Sequence, residues 1–384
     1  MQTPSAAPYV LVVRWPVGGI RTHLKYAKEL AGAAATPLQP ILVAMDDPDT
    51  RVLINNLKIP SRFDHTGGIA SLAQMSWQVL KSCLVPGVKL VHSQGFISAL
   101  LAYPAVFVTR KRHIVTVHDV VTDKVLASKN PWALRALGFV LKNAYAVHAV
   151  GRDCAASLRR IPGLHAAKNI VTIANGINSA QFSDPAPTDW RAQLALRADT
   201  KLIGFFGRFM EQKGFLDLVS AIVRLKSKCP SVDVRVLAVG EGDYLREYRA
   251  LVAEQHLQET ILFLPRAENP AALMAGCDMV VMPSHWEAYP LQAPEVLCLG
   301  IPLIASDCIG LREVTEGTPA HTFITGDCEA LCDAIIAEIQ EPSRAAARAY
   351  TQSARERFAF APNALKINHL LANAIAGEPL SRVK

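Results

Sequence analysis

Short runs of Val, Ile and Leu recur along the chain at YVLVV, ILVAM, KLVHS, HIVTVHD, AVHAV and NIVTIANG, and longer segments of helical spacing such as GIRTHLKYAKELAG lie between them. Apolar runs of strand length that alternate with amphipathic helices point to parallel sheets covered on both faces. The rhythm resumes after residue 200 with KLIGFFG, VRVLAVG, TILFLP, MVVMPS and PLIASD. Two doubly wound, Rossmann-like α/β domains are therefore expected. The alternation breaks at NSAQFSDPAPTDWRAQL, residues 178–194, where prolines and polar residues intervene, so the expected domains are 1–180 and 181–384, with the C-terminal helix free to pack back on the first. Ligands of such sheets sit beyond the carboxyl ends of the strands, and two facing domains make the crevice between them the expected site.

Composition adds limits. A chain of 384 residues exceeds what one hydrophobic core usually supports, and 51% apolar with 19% charged residues excludes disordered and collagen-like classes. The start, MQTPSAAPYVLVVRWPVGG, has no basic segment leading into an apolar stretch and a small-residue cleavage site, so no signal peptide is expected and the cytoplasm is the expected compartment. The longest stretch without Asp, Glu, Lys or Arg, Leu90 to Thr109, holds His92, Ser93, Gln94, Gly95 and Pro104 and suits a strand, a turn and a helix better than a bilayer span. Eight cysteines without CxxC spacing read as free thiols, with no zinc site.

Charge is unevenly shared. Residues 1–180 carry 20 Lys and Arg against 8 Asp and Glu, a net of +12, whereas 181–384 carry 20 against 25, a net of −5. The basic half suggests an anionic partner: a lipid head group, a phosphorylated substrate or nucleic acid. Segment 124–142, KVLASKNPWALRALGFVLK, combines Lys124, Lys129, Arg135 and Lys142 with Trp132, Leu134, Leu137 and Phe139. That pattern fits a helix resting on the inner face of an anionic membrane, and equally a helix packed on the core.

Candidate chemistry falls in the loops after the strands. In WPVGGIRTH, Gly18 and Gly19 precede a helix whose first amides can meet an anion. In TVHDV, His118 and Asp119 close an apolar strand and can orient a hydroxyl. FFGRFMEQKGF sets Arg208 and Lys213 beyond a strand, two cations suited to a diphosphate. VMPSHWEAYPLQAPEVLCLG places Glu287 in a loop and Glu295 near the start of a helix with Pro294 in its first turn and Gly300 as its stop. The helix dipole alone accounts for an acid at Glu295. A glutamate also accepts two hydrogen bonds from a vicinal diol, and the amides of Leu291 and Gln292 can hold a phosphate. Together these residues form a candidate nucleotide-sugar site.

At these residues the chain resembles retaining glycosyltransferases of the GT-B class, family 4. Gly18-Gly19 with His23, VHD, Asn175-Gly176, GR…KG, VGEGDY, FLP, CDMVVMPS, E-x7-E and GIPLIASD follow in that family's order over nearly the whole chain. The resemblance implies Gly19 against the donor diphosphate, His118 near the reacting sugar, and Arg208 and Lys213 on the diphosphate. It also implies Glu287 on the sugar, Glu295 on the ribose hydroxyls, and the base near Gly240, Glu241, Pro265 and Arg266. Diphosphate binding without a metal and no cofactor are implied too, the co-substrates being a nucleotide sugar and a carbohydrate or lipid-linked acceptor. The chain departs from the family at Glu287-Ala288-Tyr289-Pro290, where a Gly-Phe pair commonly follows the glutamate, and at Asn178, where Asp is common. Three other readings stay open: an epimerase or hydrolase on the same fold, a nucleic-acid binder suggested only by the basic half, and a metal site at Asp47-Pro48-Asp49, which is also an ordinary turn.

Overall fold

The computed structural model describes residues 7–14, 20, 21, 24, 38–45, 50, 51, 54, 61–64, 69–267 and 270–380. The apolar runs become two parallel sheets. The first contains β1 (Ala7–Val13), β2 (Leu38–Met45), β3 (Ser61–Asp64), β4 (Leu90–Gln94), β5 (Arg112–Val117), β6 (Ala146–Ala149) and β7 (Ile170–Thr172), in the order β3-β2-β1-β4-β5-β6-β7. The second contains β8 (Lys201–Phe206), β9 (Val234–Val239), β10 (Ile261–Leu264), β11 (Met279–Met282), β12 (Leu303–Ser306) and β13 (His321–Phe323), in the order β10-β9-β8-β11-β12-β13. Both orders run outward in one direction and then restart beside the first strand, so the connections diverge at β1/β4 and at β8/β11. Loops that leave two such neighbouring strands open a space at their carboxyl ends.

The chain passes from one compact unit to the other between Asn175 and Gly176, and Phe360–Lys384 returns to the first. Residues 178–194 therefore belong to the second unit. Phe182 and Trp190 within them are buried in its core, and Trp190 Nε1 donates to the Leu273 carbonyl at 3.0 Å. Burial of two such aromatics, worth roughly 2–3 kcal/mol each, is why this proline-rich segment is anchored. The last helix, spanning Phe360–Ala376, lays Phe360, Ala364, Ile367, Leu370, Leu371 and Ala374 on the same apolar cluster as Tyr9, Leu11 and Ile114. Arg112 ties the end of that helix by donating to the Gly377 carbonyl at 2.6 Å while stacking on Tyr145.

Candidate functional site

The loop after β8 shows how the sequence aims its cations. Phe209 and Phe215 are fully buried and meet edge-on, ring centroids 5.3 Å apart; Phe209 lies 5.5 Å from Phe263, and Phe215 lies 5.0 Å from Tyr248. These anchors fix both ends of the loop, and the polar residues between them turn outward. Arg208 is exposed and has no ion pair among the described residues. Lys213 closes a short 3-10 turn, Glu211–Lys213, and Gly214 follows with φ 64°. A Cβ at Gly214 would lie 1.8 Å from the carbonyl oxygen of Pro283, in the loop after β11. The two loops meet there because β8 and β11 are neighbours in the sheet although far apart in sequence.

Glu287 is buried, 5% exposed, and its carboxylate is held mainly through one oxygen. Lys213 Nζ lies 2.6 Å from Oε1, Ser284 Oγ donates to the same oxygen at 2.8 Å, and Gln212 Nε2 reaches Oε2 at 3.5 Å. The backbone around it is held as firmly. The amide of Glu287 donates to Ile309 O at 2.9 Å, Gln212 Nε2 donates to Trp286 O at 2.8 Å, and His285 pairs with Asp217 at 2.7 Å. The result is a lysine ammonium and a carboxylate fixed side by side at the mouth of the sheet, able to bind phosphate oxygens and sugar hydroxyls together.

The expected helix runs from Gln292 to Leu299 and ends at Gly300, with Pro294 and Glu295 in its first turn. Tyr289 and Leu291 pack on the core, Pro290 is buried, and the buried Gln292 Nε2 has no hydrogen-bond partner among the described residues. Part of the Glu295 side chain meets solvent, yet close packing removes most of its hydration and pushes the carboxyl up to about 7 from an ordinary 4.5. A helix dipole contributes about 0.3–1 kcal/mol in the opposite direction, less than the cost of desolvation, so desolvation prevails. The folded unit holds this proton more tightly than the unfolded chain does. Stability present below pH 4.5 is therefore lost as pH climbs through about 7, on the order of 3 kcal/mol across that window. Melts of Glu295→Gln are expected to match the wild type at acidic pH and to exceed it in alkali; identical profiles would disprove the shift. Only the difference between the two proteins isolates Glu295, because His113 and His148, lowered to about 4 by burial, slope the other way.

Glu241 and Arg266 form an exposed pair at 2.9 Å, a contact worth under about 1 kcal/mol, with Gly240 and Pro265 beside them at the ends of β9 and β10. The Phe209 amide donates to Glu241 O at 2.8 Å and so joins this rim to the cationic loop. His118 lies in the first unit. Its Nε2 is 2.6 Å from Gln94 Oε1, at the end of the adjacent strand β4, and a buried polar row continues through His92 and Thr116 to His148, whose Nε2 donates to Ile173 O at 2.9 Å. Gly18, Gly19, His23, Asp47 and Asp49 lie outside the described residues. Among the described residues no group of three or more His, Cys, Asp and Glu is arranged to hold a metal ion, and the eight cysteines are free thiols.

Sequence reasoning missed Ser284, Gln212, Gln94 and Gly310. Ser284 was signalled by its S-x-x-E spacing to Glu287, whereas Gln212 and Gln94 carried no local signal. Gly310, φ 82°, would place a Cβ 2.0 Å from Glu287 O, a closeness visible only in the fold.

Two doubly wound parallel units, each with its connections diverging beside its first strand, define a GT-B glycosyltransferase architecture. Residues 18–181 match the family model described as Glycosyltransferase Family 4 and residues 200–341 that of Glycosyl transferases group 1, and the chain belongs to this family. It is similar to N-acetyl-alpha-D-glucosaminyl L-malate synthase of Bacillus anthracis, 24% identical over 59% of this chain and 58% of that protein. It is also similar to the lipopolysaccharide core biosynthesis mannosyltransferase LpsB of Rhizobium meliloti, 29% identical over 49% of this chain and 56% of that one. The matched stretch thus spans less than two thirds of either relative's length. Among solved structures, HepE of Anabaena in complex with UDP and glucose superposes with a TM-score of 0.81 at 20% identity, covering 96% of this chain and all of that one.

Proposed function

We propose that the protein transfers a hexose from a nucleotide-diphosphate sugar to an acceptor hydroxyl, retaining the anomeric configuration and requiring no metal. The observation that carries this reading is the Lys213–Glu287 pair, 2.6 Å apart, fixed where the loops after β8 and β11 meet. Arg208 and Lys213 take up the negative charge of the departing diphosphate, helped by the amides that open the helix beginning at Gln292. Glu287 accepts hydrogen bonds from the sugar, Glu295 from the ribose, and the Glu241–Arg266 rim borders the base. No side chain is assigned as a covalent nucleophile; catalysis rests on positioning and on stabilising an oxocarbenium-like transition state. Family membership supports the reaction class, and the complexes of HepE with UDP, with UDP-glucose and with UDP and glucose support the donor class. The likeness to LpsB supports a carbohydrate or lipid-linked acceptor in cell-surface polysaccharide or glycolipid synthesis.

The test is a thermal-shift screen of UDP-, GDP- and ADP-sugars, followed by product analysis with and without acceptor sugars and with and without a chelator. One donor is expected to raise the melting point, and acceptor-dependent transfer is expected to survive chelation. Donor conversion without acceptor would favour the epimerase or hydrolase reading. A complete lack of response to nucleotide sugars would end the proposal.

A further inference from the structure

The outer layer of the first unit contains three helices, α1 (Ile69–Cys83), α2 (Phe96–Thr109) and, after a short α3 (Asp123–Ser128), α4 (Pro131–Lys142). Helix α2 packs against both α1 and α4, and its Tyr103 meets Phe139 of α4 edge-on with ring centroids 5.8 Å apart. The inner faces are spent on the core: Met75, Val79, Ala102, Leu137 and Leu141 are buried. The outer side is apolar as well. Trp77 and Leu84, in and just beyond α1, Phe107 and Val108 on α2, and Trp132 and Phe139 on α4 are 54, 69, 70, 71, 75 and 58% exposed. Single exposed apolar residues are ordinary on a soluble protein, whereas this many large ones on one layer mark an interaction surface.

Cations are interleaved with them. Lys81 lies over the Trp77 ring at 5.4 Å and Arg135 over Trp132 at 5.2 Å, Arg110 and Lys111 follow Phe107 and Val108, and Lys142 ends α4. Between Asp64 and Asp153 the chain has ten Lys and Arg but only two acids, Asp119 and Asp123, and α1, α2 and α4 contain none. Each helix returns antiparallel to the strands, so the C-terminal turns bearing Lys81, Phe107, Arg110, Phe139 and Lys142 gather at one end of the unit.

We propose that this three-helix face docks the protein on an anionic lipid bilayer. Charge selects the occupant. A second copy related by a two-fold axis would set the same cations against each other with no acid on the helices to answer them. Anionic head groups supply the missing counter-charge, aromatic rings suit the boundary between head group and hydrocarbon, and Lys and Arg stems reach from one to the other. The contact is peripheral in kind, since among the described residues no helix is long and apolar enough to cross a membrane. Segment 124–142 contributes only part of the face: Leu137 points into the core, and α1 and α2 complete the surface. This inference is independent of sugar transfer.

Flotation of the full chain with vesicles of phosphatidylcholine alone and of equimolar phosphatidylcholine and phosphatidylglycerol tests it without donor or acceptor. Binding is expected with the mixed vesicles at low salt and to fall about tenfold or more with phosphatidylcholine alone or at high salt. Two double variants, Phe107→Ser with Trp132→Ser and Arg110→Glu with Lys142→Glu, are each expected to weaken partition at least about tenfold while melting like the wild type, because all four side chains are exposed. Equal flotation with both vesicle types, no flotation, or folded variants that float normally would overturn the proposal. So would a dimer in sedimentation that the aromatic variant dissociates, which would show a second copy on the face.

Discussion

Glu287→Gln is expected to lower turnover by about a hundredfold or more with only a small change in melting temperature. Glutamine keeps the volume of the buried side chain and can still accept from Ser284 Oγ, which lies 2.8 Å from the carboxylate. It can hold the Lys213 ammonium, which now rests 2.6 Å away, only by a neutral hydrogen bond without the charge pairing, and so less firmly. Removing one member of a fully buried pair costs about 3–5 kcal/mol, but Lys213 is 20% exposed and can rehydrate, so a loss nearer 1–2 kcal/mol is expected. The chemical penalty is larger because two functions fail together. The charge-assisted hydrogen bond proposed to reach the sugar would be weakened, and Lys213, proposed to receive the leaving diphosphate, would no longer be aimed. Turnover and KM with a matched donor, beside a melt, separate these effects; unchanged turnover would remove Glu287 from the reaction.

Gly214→Ala is expected to destabilise the second unit by about 3 kcal/mol and lower its melting midpoint by roughly 6–12 °C. Two terms contribute. At φ 64° an alanine bears about 1 kcal/mol of left-handed strain, and its Cβ would stand 1.8 Å from the backbone carbonyl of Pro283, which cannot swing aside as a side chain would. Gly317 separates the terms: its φ is 68°, yet nothing lies within 4 Å of where its Cβ would be. Gly317→Ala should therefore cost about 1 kcal/mol. Equal losses at the two positions would show that the loops after β8 and β11 do not touch as described.

The interior strands were legible because a strand covered on both faces is largely apolar, as LIGFF in β8, VLAV in β9 and MVVM in β11 are. Of the edge strands, β7 and β10 keep apolar runs and were legible, whereas β3 and β13, SRFD and HTF, were not, since an edge strand can be short and can do without an apolar run. In the candidate site, the place of Arg208, Lys213 and Glu287 in loops after strands was legible, and the helix stop at Gly300 from the glycine itself; the structure brings Lys213 and Glu287 together. What sequence withheld was adjacency. Gln212 meets Glu287, and Gln94 meets His118, only because β8 lies beside β11 and β4 beside β5. The proline-rich segment misled in another way: Phe182 and Trp190 are too few to show a periodicity, yet they suffice to bury the segment.

The helix Phe360–Ala376 seals the apolar floor beneath Tyr9 and Leu11, so the unit begun first in synthesis is completed last. While the ribosome makes residues 176–359, that floor waits open in the nascent chain, a hydrophobic surface for chaperones to shield. The unit encoded in the middle, by contrast, has its whole hydrophobic complement as soon as it emerges.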